Sequence, residues 1–130
     1  MSIKKDIESI NEIVILVNEF YDKVEKDDLL GPVFERVING KWEPHLEKMY
    51  RFWETILLDN HSYFGSPFPP HTKLDIEAKH FDRWLLLFKK TIDENFEGEK
   101  AKEAKWRADK MAQIFQHKLD YLQQSNTSSS

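Results

Sequence analysis

Residues 3–26 read IKKDIESINEIVILVNEFYDKVEK, and the spacing of their apolar positions decides the fold class. From Ile3 these positions run Ile7, Ile10, Val14, Val17, Tyr21 and Val24, in steps of four and three without a break. Side chains at that spacing line one face of an α-helix about six turns long, with Lys, Asp and Glu opposite. Tyr21 falls on the stripe to be buried. A half-buried strand would alternate with a period of two, and no segment of useful length does so.

Working outward, the spacing predicts that this helix ends near Asp27 and Asp28, because Gly31-Pro32 does not continue it. Val33 and Phe34 then drop into a short connecting segment, with Phe34 facing inward. A second helix starts around residues 42–44, where Pro44 is tolerated in a first turn, and carries Leu46, Met49, Trp53, Ile56 and Leu57. A neighbouring stripe on it is His45, Met49, Phe52 and Ile56, so His45 shares a face with core residues. Residues 59–72 read DNHSYFGSPFPPHT, and Gly65, Pro67, Pro69 and Pro70 exclude regular helix from most of that stretch. Pro70 can open a short helix that carries His71.

A third long helix shows Phe81, Trp84, Leu85, Phe88 and Ile92 on one face, and a fourth shows Ala104, Ala108, Met111, Ala112, Phe115, Leu119 and Leu122. Asn95 to Gly98 separates them. The chain contains no internal repeat, so the expected architecture is all-α, with four main helices in a single domain over residues 1–122. Residues 123–130 are polar and Ser-rich, with nothing to bury, and are expected to be a disordered tail.

Composition removes several function classes. The 130 residues carry a formal net charge of −4, and no basic cluster marks a nucleic-acid or membrane surface. There is no Cys, so disulfides, iron–sulfur clusters, thiolate metal sites and a Cys nucleophile are excluded, and any metal depends on His or carboxylate. Neither a signal-peptide pattern nor an apolar stretch near membrane-span length is present, from which a cytoplasmic location is expected. Aromatics make up 13% of the residues, a heavy load that suits either a densely packed core or a core built around a flat apolar ligand.

Five His are then the candidates for chemistry. His61 and His117 read as ordinary hydrogen-bonded or surface residues. His80 closes Glu77-Ala78-Lys79-His80, but a di-iron carboxylate bundle needs two such pairs and a Glu from each of two further helices. One copy is present, so Glu77 reads as part of a solvated face. No nucleophile elbow, His-Glu-x-x-His motif or phosphate loop occurs. The pair left is His45, in the middle of a helical stripe, and His71, just after two prolines. Two His on separate elements among Phe and Trp suit a haem lying between a ligand side and an open side. They suit equally a haem-free helical interaction module, in which His71 is an exposed loop residue and Tyr21 plain core. An absorption spectrum separates the two.

Four segments together resemble the group III truncated haemoglobins, over nearly all of the chain to about Leu122. The first is Phe20-Tyr21-Asp22-Lys23-Val24 followed by Asp27, Leu30, Pro32 and Phe34. The second is Trp42-Glu43-Pro44-His45 leading to Phe52-Trp53. The third is Gly65-Ser66-Pro67-Phe68-Pro69-Pro70-His71, and the fourth is Phe81-Asp82-Arg83-Trp84-Leu85. Each alone is weak, since such aromatic pairs are ordinary in cores, but all four stand in the family's order and spacing. The glycine-rich pairs of other truncated haemoglobin groups are missing, in agreement with group III.

The resemblance implies a truncated globin fold, a two-over-two helical sandwich around haem b, with His71 as the iron ligand. It implies Tyr21, His45 and Trp84 on the distal side, where diatomic gases bind: oxygen, carbon monoxide and nitric oxide. Phe20, Phe34, Met49, Phe52, Trp53, Phe81 and Phe88 are the expected apolar contacts of the porphyrin or the core behind it, and Lys48 the expected partner of a propionate. Reversible oxygen binding is the implied function, extending to nitric oxide or peroxide detoxification, with room for a reductase that recycles the iron.

Overall fold

The computed structural model of the chain describes residues 4–58 and 77–127. Within them it holds five α-helices: α1 Ile10–Lys26, α2 Leu30–Ile38, α3 Trp42–Leu58, α4 Ala78–Asn95 and α5 Glu99–Thr127. The expected all-α architecture holds, with one helix more than periodicity gave.

Helix α1 starts later than the apolar spacing suggests. Ser9 caps it, its Oγ accepting the Asn11 N–H at 3.3 Å, while Glu12 reaches back to the Glu8 N–H at 3.1 Å. This reciprocal pairing satisfies first-turn donors that otherwise lack partners and fixes the boundary there. Ile7 is fully buried but lies outside the helix. Its segment runs beside the α4–α5 connection, with the Glu97 N–H donated to the Lys5 carbonyl at 3.0 Å. Asp6 from the same segment takes the N–H groups of Ile7, Lys100 and Ala101 at 2.8–3.0 Å and so caps α5 from a distance in sequence.

The extra helix is α2, formed where a connecting segment was expected. Gly31-Pro32 sits in its first turn, where the missing proline N–H costs nothing. Asp27 is the cap, its Oδ2 accepting the Leu29 N–H at 3.1 Å and the Leu30 N–H at 2.9 Å. Gly31 is required by contact: a Cβ there would stand 2.8 Å from the Glu25 carbonyl oxygen, because α2 presses against the end of α1. Phe34 is half-buried on α2.

Helix α1 packs against α2, α3 and α4, and α4 packs against α5. Being covered from several sides, α1 buries Ile13, Leu16, Val17, Phe20, Tyr21 and Val24, a face broader than one stripe. Helix α5 meets the others through Ala101, Ala104, Ala108 and Ala112, whose small side chains let two backbones approach closely. It continues through Thr127, past the boundary drawn at Leu122. Among the described residues no helix is long and apolar enough to cross a membrane.

Candidate functional site

One end of the molecule gathers aromatic and polar side chains from four helices. Tyr21, near the end of α1, is buried, and His45, in the first turn of α3, is half-buried. The His45 Nε2 lies 3.1 Å from the Tyr21 Oη, with the two rings perpendicular. Pro44, accommodated in the first turn of α3, therefore leaves His45 turned inward. The contact serves in either direction: with the ring proton on Nε2 the imidazole donates to the phenol oxygen, and with it on Nδ1 the Nε2 accepts the phenol hydrogen.

Burial pushes the Tyr21 hydroxyl well above the usual tyrosine range, so its proton is retained. Burial also lowers the His45 pKa, with the Lys48 ammonium one turn along adding to the effect. Both groups are thereby held neutral near pH 7.

Around this pair the rings form a connected layer. Phe34 of α2 and Trp42 of α3 flank Tyr21 at centroid distances of 6.0 and 6.1 Å. Phe20 meets Tyr21, Trp84 and Phe88 edge-on at 5.0–5.6 Å. Trp84 and Phe88 stack at 5.4 Å, Phe88 stacks on Trp53 at 4.9 Å, and Phe52 meets Trp53 edge-on at 5.3 Å. Such pairs add roughly 0.5–1.5 kcal/mol each beyond the area they bury, so the layer is a stiff wall.

Of the residues expected at the site, Phe20, Tyr21, Phe34, His45, Phe52, Trp53, Trp84 and Phe88 are joined by these contacts. Met49 is half-buried against the same core, Lys48 is exposed beside it, and Phe81 is half-buried on α4. Phe81 makes no ring contact with this layer among the described residues. His71 lies outside the described residues, as do His61 and Phe68. His80 takes a structural role, accepting the Glu77 N–H at 2.9 Å through Nδ1 and closing the first turn of α4.

Two contributors escaped the sequence reading. Trp42 has no site role in the sequence reading beyond opening a helix and the second family-like segment, yet it packs on Tyr21 and donates its indole N–H to the Glu35 Oε2 at 3.0 Å. Its position three residues before His45 was the available signal, since that spacing puts both on one face. The other is the ion pair of Asp27 with Arg83, at 2.6 Å, which ties the α1–α2 corner to α4 beside Trp84. No local pattern announces a pair separated by so much chain.

What the described residues offer suits a haem, while the His71 expected to hold its iron lies outside them. Among the described residues no three His, Asp or Glu side chains converge to hold a bare metal ion. What the site offers instead is flat apolar surface from half-buried Phe34, Met49, Trp84 and Leu85, with two neutral polar atoms set into it. A planar macrocycle needs the first, and a small polar ligand on its distal face needs the second.

The bacterial-like globin family model matches residues 6–123 of this chain. Over 118 residues the chain is 34% identical to a group 3 truncated haemoglobin of Campylobacter jejuni, covering 86% of this chain and 93% of that protein. The crystal structure of the group III truncated haemoglobin from Campylobacter jejuni superposes with a TM-score of 0.81 at 31% identity, covering 90% of this chain and 95% of that one.

Proposed function

The chain belongs to the bacterial-like globin family as a group III truncated haemoglobin, a haem-binding globin, and on that premise we propose that it binds oxygen and other diatomic gases reversibly at a haem b held by His71. The observation that carries the distal half of this reading is the buried Tyr21 hydroxyl, 3.1 Å from the His45 Nε2 within an aromatic wall. The proximal half rests on the Pro69-Pro70-His71 sequence and the family likeness.

A haem held by the His71 imidazole would supply an iron able to take up a small diatomic ligand. With the ring proton on Nε2, His45 would support the phenol oxygen from behind and leave the Tyr21 hydroxyl hydrogen free to be donated to a ligand in the pocket. The Trp84 indole N–H, which makes no hydrogen bond among the described residues, is the second donor. A ligand that draws negative charge as it binds, as oxygen does, gains more from these donors than carbon monoxide does. Lys48, exposed one turn after His45, pairs a propionate, and the aromatic wall excludes water.

So dense a donor set suits nitric oxide or peroxide detoxification better than storage, and a reductase that returns the iron to the ferrous state is the partner this reading requires. The test is an absorption spectrum of the purified protein and of His71→Ala. We expect a Soret band that shifts with carbon monoxide, its loss or weakening in His71→Ala, and its recovery on adding imidazole. A colourless protein after expression with ample haem sinks the reading. Unchanged axial coordination in His71→Ala sinks the assignment of His71.

A further inference from the structure

Tyr21 and Trp42 are neighbouring redox-capable side chains, and each has a proton acceptor already bonded to it. The Tyr21 hydroxyl faces the His45 Nε2 at 3.1 Å, and the Trp42 indole N–H is donated to the Glu35 Oε2 at 3.0 Å. Their ring centroids are 6.1 Å apart. Tyr21 is buried, whereas Trp42 is half-buried and Glu35 exposed. The pair thus spans the wall from the pocket to solvent.

Oxidising a tyrosine or a tryptophan by one electron makes it far more acidic, so the step is easy where the proton has somewhere to go. Exposed Trp106 has cations beside its ring, Arg107 and Lys110 at 5.7 Å, and makes no contact with another aromatic ring among the described residues. Trp84 has no hydrogen-bonded acceptor among the described residues. Trp42 alone among these three combines an acceptor, a ring contact with Tyr21 and an edge in solvent.

We propose that Tyr21 and Trp42 form a one-electron relay that carries reducing equivalents from a small-molecule donor at the surface to the distal pocket during hydroperoxide reduction. In the first step, with the His45 ring proton on Nδ1, Tyr21 gives one electron to the oxidant in the pocket and its phenolic proton to the free His45 Nε2. Trp42 then gives one electron to the Tyr21 radical, the proton on His45 returns to the phenol oxygen, and the indole proton passes to the Glu35 carboxylate. A donor of the ascorbate class reduces Trp42 at the surface and the indole recovers its proton. Each passage oxidises one ascorbate monoanion to its radical and releases that donor's proton to solvent. Each hydrogen peroxide takes up two of these electrons and two protons from solvent as its O–O bond breaks to give two waters, so two passages close one turnover.

The oxidant rests on the haem reading, but the relay itself belongs to this chain's side chains, and the two fail separately. In the haem-loaded protein, ascorbate-supported peroxide consumption is expected to fall about tenfold or more in Trp42→Phe and in Glu35→Gln, the scale of a lost charge-assisted hydrogen bond. Freeze-quenched electron paramagnetic resonance is expected to show a tyrosine radical that ascorbate discharges quickly in the wild type and far more slowly in Trp42→Phe. The second measurement uses the protein as purified, in a Trp106→Phe background, with a photogenerated ruthenium(III) oxidant in solution. A tryptophan radical should decay as a tyrosine radical grows, and the transfer should vanish in both Trp42→Phe and Tyr21→Phe. Peroxide consumption and radical discharge by ascorbate unchanged by Trp42→Phe overturn the relay even if the Soret band is present. Under the ruthenium oxidant, growth of a tyrosine radical that survives Trp42→Phe overturns it whether or not the protein holds haem.

Discussion

Tyr21 lies on the buried helical stripe and in the proposed distal pocket, so its ring and its hydroxyl can be tested apart. The ring packs against Phe20, Phe34, Trp42 and His45, and the hydroxyl faces His45. Tyr21→Phe keeps the first and removes the second. Hydrogen bonds to partly charged acceptors are worth roughly 1.5–3 kcal/mol, so oxygen dissociation is expected to accelerate by about ten- to a hundredfold, with carbon monoxide release changing far less. Stopped-flow measurement of both gases on one sample checks this, and equal changes for the two would indicate a reshaped pocket. His45 has a pH consequence. Its folded pKa is depressed, first by burial and then by Lys48, so its share of stability is complete above its ordinary value of 6.5 and is lost as pH falls below that through the folded pKa. His45→Gln is expected to flatten that part of the curve of thermal midpoint against pH, and a curve unchanged by the substitution contradicts the assignment.

At the scale of elements, two aspartates fasten helices that lie far apart in sequence. Asp6 holds the first turn of α5 through the Lys100 and Ala101 N–H groups, and Gly98 makes room, since a Cβ there would stand 2.6 Å from the Asp6 Cγ. Gly98 also sits at φ 137°, a conformation that other residues rarely adopt. Removing an N-cap costs about 0.5–2 kcal/mol, so Asp6→Ala is expected to lower the thermal midpoint by several degrees. Asp27 caps α2 and also binds Arg83 of α4. Burial raises the pKa of each carboxyl, but the bonded N–H groups and the neighbouring Lys100 or Arg83 charge outweigh it, and both lie below the ordinary 3.8. Their contribution is therefore full above 3.8 and lost as pH falls through the folded values, which an acid titration of wild type against Asp6→Asn and Asp27→Asn resolves. Gly31→Ala brings a methyl group within 2.8 Å of the Glu25 carbonyl oxygen, with backbone on both sides of the contact. Overpacking of that kind costs about 1–3 kcal/mol, and urea unfolding measures it.

For the whole molecule, the cofactor acts as part of the fold. A ligand present at about a thousand times its Kd stabilises the native state by roughly 4 kcal/mol, so haem-free protein is expected to unfold at a clearly lower temperature than the haem-loaded form. Equal midpoints would mean that the group is adventitious. Phe88 joins α4 to α1 through Phe20 and to α3 through Trp53, and Phe88→Ala is expected to cost about 3–5 kcal/mol in chemical unfolding. By itself the sequence determined the all-α class, the helices carrying Tyr21, His45 and Trp84, and most of the aromatic set, because helical periodicity is local and each of these lies on a continuous apolar stripe. It misplaced the start of α1 because Ile7 continues the stripe, although its burial comes from the α4–α5 connection. It missed α2 because Gly31-Pro32 reads as a stop unless Asp27 is seen capping the next helix. Only the tertiary structure decided that His45 faces Tyr21, that Trp42 closes the wall with its indole on Glu35, and that Asp27 meets Arg83. Those contacts join residues from different helices, and the packing angles that bring them together are set by the summed burial of all the elements, which no local pattern encodes.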